Sequence, residues 1–363
     1  MIKYSERELA LIWLDSFIGL EYKHKQSLFG MIDGVSGIKS LLEKGKDYIV
    51  QAVGKKEFAT ILASANKEYL DFVLDNLDKK GITAVTLFSD LYPSELKQIP
   101  MPPVVLYCKG DTSLLIKEKF AIVGSRKSLP LSISIAKDYA KEISTHFCLC
   151  TGIAEGVDSA VIQTALDCDC KVISVIAGGF DNVYPKSNQS LFEKVAERGL
   201  VISENPPEVY PKPYMFPIRN RIIAGLSKGV LIVSGGIKSG TLYTAEYAEE
   251  YGKDLFAVPY SVGIQSGAGC NDLIKRGAML TDSVKDVLDF YGLQTKEAPQ
   301  EFTPQERDIL YALKDGQKHI DKLCLELNKK AFELLPIISG LEIKGYLVKS
   351  GNVYGLCRSV SEE

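Results

Sequence analysis

From Gly81 to Gly292 the chain alternates short apolar runs with longer stretches of helical periodicity, and this alternation restricts the fold more than any other feature. The runs are Ile82–Phe88, Val104–Cys108, Phe120–Val123, Phe147–Cys150, Lys171–Ile176, Leu200–Ser203, Gly229–Ser234 and Asp254–Val258. Each is too short to be an independent helix and is bounded by turn residues, so each reads as a strand. From Phe120 onward the runs show no regular polar–apolar alternation, which is the pattern of strands covered on both faces. Strands separated by helices build βαβ units with right-handed crossovers. The expected fold class is α/β, a doubly wound and mostly parallel sheet over residues 81–292.

The flanks have a different texture. Residues 1–80 read as an N-terminal helical, SAM-like domain: Leu9, Ile12, Trp13, Phe17 and Leu20 share one helical face, and the pattern recurs from Phe58 to Leu77, with Gly34 and Gly37 between. Residues 293–301 are polar and read as a linker. Residues 302–358 open with Thr303-Pro304-Gln305-Glu306, a helix start with Thr as cap, Pro at the first position and Glu at the third. Three helix patterns and a terminal hairpin around Ser350-Gly351-Asn352 predict a winged-helix domain. Its nine cations against seven acids favour protein contact or weak DNA binding over strong duplex binding.

The net charge of −3 over 363 residues excludes a polycation, so any nucleic-acid contact must be a local basic patch. No secretion signal and no apolar run of spanning length is read, which places the chain in the cytoplasm with no membrane partner. Cys148, Cys150, Cys168 and Cys170 form Cys-x-Cys pairs rather than the Cys-x-x-Cys of common zinc sites, and His24, His146 and His319 fall in no ligand pattern. Buried thiols are expected, with no metal and no cofactor.

In an open α/β sheet ligands bind beyond the carboxyl ends of the strands, so the strand exits carry the chemistry. One exit reads Gly124-Ser125-Arg126-Lys127, where a glycine lets backbone approach a phosphate and an arginine can fork onto its oxygens. The next holds Gly152 and Gly156 at a tight turn, with Asp158 in the first turn of the helix that follows. A third leads through Tyr184-Pro185-Lys186, with Ser187 or Asn188 as the expected helix cap. Lys186 is either a solvated surface charge or a phosphate ligand. Phe216-Pro217-Ile218-Arg219-Asn220-Arg221 leads into a helix, and Lys238-Ser239-Gly240-Thr241 leads into another, with the apolar Gly229–Ser234 run between them. Pro206–Arg221 interleaves Lys212, Arg219 and Arg221 with Tyr210, Tyr214 and Phe216, which suits a single strand whose phosphates meet cations and whose bases stack on rings. The alternative is a loop whose rings, Phe216 included, pack on the sheet. Neither a Gly-x-Gly-x-x-Gly fingerprint nor a Gly-x-x-x-x-Gly-Lys-Ser/Thr loop occurs, which argues against a dinucleotide and against a P-loop NTPase.

Taken in order, Gly124-Ser-Arg, Thr151-Gly-Ile-Ala-Glu-Gly-Val-Asp158, Tyr184-Pro-Lys-Ser-Asn188, Phe216-Pro-Ile-Arg-Asn-Arg-Ile-Ile-Ala-Gly-Leu-Ser227, Lys238-Ser-Gly-Thr241 and Gly269-Cys-Asn-Asp-Leu-Ile274 resemble the motifs of the DNA-processing protein A (DprA/Smf) family. The resemblance spans roughly Gly81 to Tyr291. It implies an extended Rossmann-like domain that binds single-stranded DNA without sequence preference and is not an enzyme. It further implies a homodimer that protects incoming strands, displaces single-strand binding protein and loads the RecA recombinase during natural transformation. Carried onto this sequence, it makes Arg126 and Lys186 phosphate-binding cations and makes Phe216, Arg219 and Lys238 further lining residues. Gly124, Ser125, Gly152, Gly156, Asn220, Arg221, Ser239, Gly240 and Thr241 complete the candidate set. Glu155 stands where the family more often has Arg, and Lys238 replaces a frequent Arg, which keeps the charge but loses the fork.

A competing class is an enzyme. Gly235-Gly236 and Gly240-Thr241 are similar to the Gly-Gly-x-Gly-Thr-x-x-Glu loop of the Lonely Guy phosphoribohydrolases. Position 244 is Thr, however, and Glu246 is displaced by two helix positions, which puts its carboxylate on another face. A nucleotide-sensing module would use the same phosphate loops.

Overall fold

The computed structural model describes residues 4–17, 25, 42–43, 45–294, 302–343 and 346–356. Gly34, Gly37, His24, most of the expected linker and the end of the expected C-terminal domain lie outside the described residues. The chain divides into two compact units, Met1–Thr295 and Lys296–Glu363.

The first unit is built on a nine-stranded sheet: β1 Thr83–Thr86, β2 Val105–Gly110, β3 Lys119–Gly124, β4 Cys148–Thr151, β5 Val172–Val175, β6 Leu200–Ser203, β7 Gly229–Ser234, β8 Asp254–Ala257 and β9 Met279–Leu280. The spatial order is β1-β2-β6-β5-β4-β3-β7-β8-β9. From β6 to β9 every pairing is parallel, and β1 and β2 add an antiparallel edge. The sheet is thus mixed but mostly parallel. Its buried strands divide their side chains by a period of two: Phe120 and Ile122 enter one core, Ala121 and Val123 the other. Phe120 has no exposed surface and packs against Phe147, Phe256 and Tyr291, a burial of about 1.5–3 kcal/mol. Helices cover both faces, as strands buried on both sides require.

The order of the strands determines where a ligand can sit. From β3 the chain steps to β4, β5 and β6 on one side, then returns to place β7 on the other side of β3. The loops leaving β3 and β7 therefore diverge and open a crevice at their carboxyl ends.

In the N-terminal part, helix Glu6–Asp15 starts at a capping box made by Ser5 and Glu8, and buries Trp13, whose Nε1 donates to Ser64 O at 2.8 Å. The pattern from Phe58 to Leu77 is split into helices Lys55–Ala63 and Lys67–Lys79. Asn66 causes the break: its side chain accepts from Tyr69 N–H at 2.8 Å and starts the second helix. Cys148 and Cys150 are buried free thiols of β4, pushed up to about 12 by burial. Among the described residues no helix is long and apolar enough to cross a membrane.

The second unit holds helices Pro304–Ala312, Ile320–Glu326 and Ala331–Ile343 and a three-stranded antiparallel sheet of β10 Lys318–His319, β12 Val353–Leu356 and β11 Leu347–Ser350. The Thr303–Glu306 capping box forms as its sequence predicts. Ile309, Leu313, Leu323, Leu334, Ile338 and Tyr354 give this unit its own core.

Candidate functional site

The crevice between β3 and β7 is a pocket of about 750 Å³. Of the expected residues, Gly124, Ser125, Arg126, Phe216, Arg219, Asn220, Ser239, Gly240 and Thr241 line it. Lys127, Asp158, Tyr184, Tyr210 and Thr244 line it as well.

The hydroxyl-bearing residues at the strand ends hold the exit loops. Ser174 Oγ donates to Gly152 O at 2.8 Å, Ser203 Oγ to Gly178 O at 2.8 Å, and Ser234 Oγ accepts from Ser125 N–H at 3.2 Å. Each satisfies a loop group at the top of the sheet, so these loops are fixed before any ligand arrives. Between β7 and its helix, Ser239 Oγ donates to Thr241 Oγ1 at 3.1 Å and accepts from Thr241 N–H at 3.3 Å, folding the loop tightly ahead of helix Leu242–Glu250.

Helix Met215–Leu226 begins earlier than the sequence pattern suggests, so Phe216 and Pro217 lie in its first turn and line the pocket. Proline is tolerated there because the first N–H groups have no helical partner. The start has no side-chain cap, and the positive end of the helix dipole adds to the local field. Arg219 and Arg221, two positions apart, point in different directions. Arg219 is 6% exposed, donates from Nε to Asn220 Oδ1 at 3.1 Å and from Nη1 to Val175 O, and reaches the pocket floor. Arg221 is 1% exposed and ion-paired to Glu204, away from the pocket lining. Of the expected set, Arg221 is thus not among the lining residues, because its place in the helix turns it into the protein. Asn220 Nδ2 donates to Gly240 O at 3.2 Å, tying this helix to the β7 exit.

Gly152 and Gly156 lie outside the pocket lining, at positions where a side chain would not fit. A Cβ on Gly152 would lie 3.0 Å from both terminal nitrogens of Arg219 and closer still to Asp158 Oδ2. Gly156 has φ +81°, and its Cβ would lie 2.5 Å from Ser125 O. The carboxylate of Asp158 accepts from Ala154 N–H at 3.2 Å. Burial pushes the Asp158 carboxyl above its usual range, against the opposing pull of Arg219 and Arg126. Burial likewise pushes the Arg219 guanidinium down, against the pull of Asp158.

At the rim, the Arg126 guanidinium carbon sits 5.0 Å from the centroid of the Phe216 ring, and Tyr184 meets the same ring edge-on at 5.5 Å and 67°. Phe216 is neither core nor fully open: it is half-buried and carries Arg126 on its face. Lys186 is exposed and sits just past Tyr184 and Pro185, outside the pocket lining, as does exposed Lys238. The expected helix caps are used elsewhere. Ser187 Oγ donates to Glu155 Oε1 at 2.7 Å, and Asn188 Nδ2 donates to Ile153 O at 2.8 Å and Ser159 Oγ at 2.9 Å. These bonds lock the β5 exit onto the β4 exit and engage the Glu155 carboxylate with a neutral donor. Tyr184 and Asp158 escaped selection from the sequence as lining residues because a lone tyrosine before proline and a first-turn acid are common surface features.

Residues 83–292 match the family model of DNA recombination-mediator protein A. The chain is 39% identical over 219 residues to the DNA processing protein DprA of Bacillus subtilis, covering 60% of this chain and 74% of that protein. It is 30% identical over 273 residues to protein Smf of Escherichia coli, covering 71% and 73%. Its fold is similar to the X-ray structure of DNA processing protein A from Streptococcus pneumoniae, with TM-score 0.59 and 31% identity over 76% of this chain and 99% of that one. It is also similar to DNA processing protein A from Helicobacter pylori, a structure described for its unique single-stranded DNA binding mode, with TM-score 0.53 and 29% identity over 58% of this chain and 95% of that one.

Proposed function

This chain belongs to the DNA recombination-mediator protein A family, and from that premise we propose that its β3–β7 crevice holds single-stranded DNA without sequence preference. The observation that carries the reading is the gathering of Arg126, Arg219, a helix start and the rings of Tyr184, Tyr210 and Phe216 around one pocket. Cations and dipoles meet phosphates, and rings meet bases, without any hydrogen-bond code for sequence. Gly124 and Ser125 bring backbone to the phosphates, and Arg126, Lys186 and Lys238 supply charge.

A holding role is favoured over a hydrolytic one. Where a phosphoribohydrolase loop would place its carboxylate, buried Thr244 lines the pocket, while Glu246 is exposed and absent from the lining. On the same reading the protein acts in the cytoplasm as a homodimer. It protects incoming strands, displaces single-strand binding protein and loads RecA during natural transformation. Family membership supports these roles. The three helices and antiparallel hairpin of residues 302–356 support reading that unit as a winged helix used for protein contact or weak DNA binding. The N-terminal helices, the 81–292 domain and this unit then serve as successive functional domains.

The test is fluorescence anisotropy of labelled oligo-dT across salt. Each phosphate contact contributes about −0.7 to the slope of log K against log salt. Arg126→Ala and Lys186→Ala are each expected to make that slope shallower by about 0.7. Unchanged slopes in both variants would overturn their phosphate role, and release of free base from a nucleoside monophosphate would favour the enzyme.

A further inference from the structure

Tyr210 is the most exposed ring on the pocket, at 66%, and its presentation is fixed by its neighbours. Val209 is 5% exposed and accepts from Gly179 N–H at 2.8 Å, and Pro211 is buried. Pro211 packs so closely on Gly178 that a Cβ there would lie 2.8 Å from its ring. Pro207 O accepts from Asp181 N–H at 3.0 Å, and Glu208 O accepts from Asn182 Nδ2 at 3.0 Å. The loop is therefore docked along the Gly178–Asn182 segment on both sides of Tyr210, and the exposed tyrosine ring lines the pocket. Among the described residues no ring stacks on it and no cation covers it. Phe216, by contrast, already carries the Arg126 guanidinium. The backbone on either side of Tyr210 is held, and its ring keeps a face open on the pocket where a second ring can stack.

We propose that Tyr210 is a base-stacking platform of the pocket, taking an unpaired nucleobase on its open face, while Phe216 chiefly seats Arg126. The assignment rests on the single-strand reading of the same site. It predicts that the part of the affinity owed to Tyr210 requires bases, whereas the part owed to Arg126 requires only phosphates.

The experiment compares binding of oligo-dT with an abasic deoxyribose-phosphate oligonucleotide of equal length. Tyr210→Ala is expected to weaken oligo-dT about tenfold and to leave the abasic strand within about twofold. Tyr210→Phe is expected to bind both as wild type does, since stacking needs the ring and not the hydroxyl. Tyr210→Trp is expected to change its emission with oligo-dT and not with the abasic strand. Equal losses on both strands, or no loss on oligo-dT, would overturn the assignment while wild-type binding and the Arg126 salt effect leave the single-strand reading standing. Absence of oligo-dT binding by the wild type would overturn both.

Discussion

At the scale of single residues, the pocket floor depends on a missing side chain. Asp158 and Arg219 approach each other across Gly152 so closely that no Cβ fits between them. Gly152→Ala is expected to destabilise the protein by about 1–3 kcal/mol, the cost of overpacking a tight site, read as a lower urea midpoint with an unchanged m-value. A wild-type midpoint would show that the floor yields freely. The sequence pointed to Gly152 as a turn glycine but not to its reason, because Arg219 arrives from a distant helix. The same limit applied to the arginine pair. The Arg-Asn-Arg run announces cations, yet which one faces the pocket depends on where the helix starts, and Met215 rather than a later residue starts it. Tyr210 illustrates the opposite case: its residue type was legible, but its exposure on the pocket is a property of the loop around it.

At the scale of elements, the loop that presents Tyr210 is anchored to the N-terminal helices. Lys80, at the end of helix Lys67–Lys79, lies 2.7 Å from Asp181 and 2.8 Å from Glu208, and Asn76 Nδ2 donates to Glu208 at 2.6 Å. Burial pushes the Glu208 carboxyl up, but the Lys80 and Asn76 bonds outweigh it and hold it below its ordinary 4.5. For Lys80 burial pushes down, and the Asp181 and Glu208 bonds outweigh it and hold it above 10.5. A depressed acid contributes stability above its unfolded value that is lost as pH falls through the folded one. A raised lysine contributes stability below its unfolded value that is lost as pH rises through the folded one. Lys80→Met should therefore lower Tm relative to wild type between roughly pH 5 and pH 10, with the gap closing outside that window. The groups are part-exposed, so the gap is below about 1 kcal/mol and shrinks with salt. A pH-independent gap would mean that the lysine acts through packing. This anchor joins segments distant in sequence, which is why no local pattern disclosed it. The strands were legible because double coverage makes them continuously apolar, a local signal.

At the scale of the whole molecule, the placing of β7 beside β3 makes the site: it splits the chain's path and gathers exit loops that are far apart in sequence. Local periodicity gave the strands and their parallel sense, while the neighbour order, which creates the crevice, arises from pairings between distant segments and was beyond it. On the proposed function this crevice in Met1–Thr295, rather than the unit Lys296–Glu363, holds the strand. The most direct measurement is photo-crosslinking of the full chain to oligo-dT carrying 5-iodo-2′-deoxyuridine, followed by peptide mapping. Crosslinks are expected in the peptides carrying Tyr184, Tyr210 and Phe216, lost on competition with unlabelled oligo-dT. Crosslinks confined to residues 302–356, with those three peptides unmodified, would contradict it.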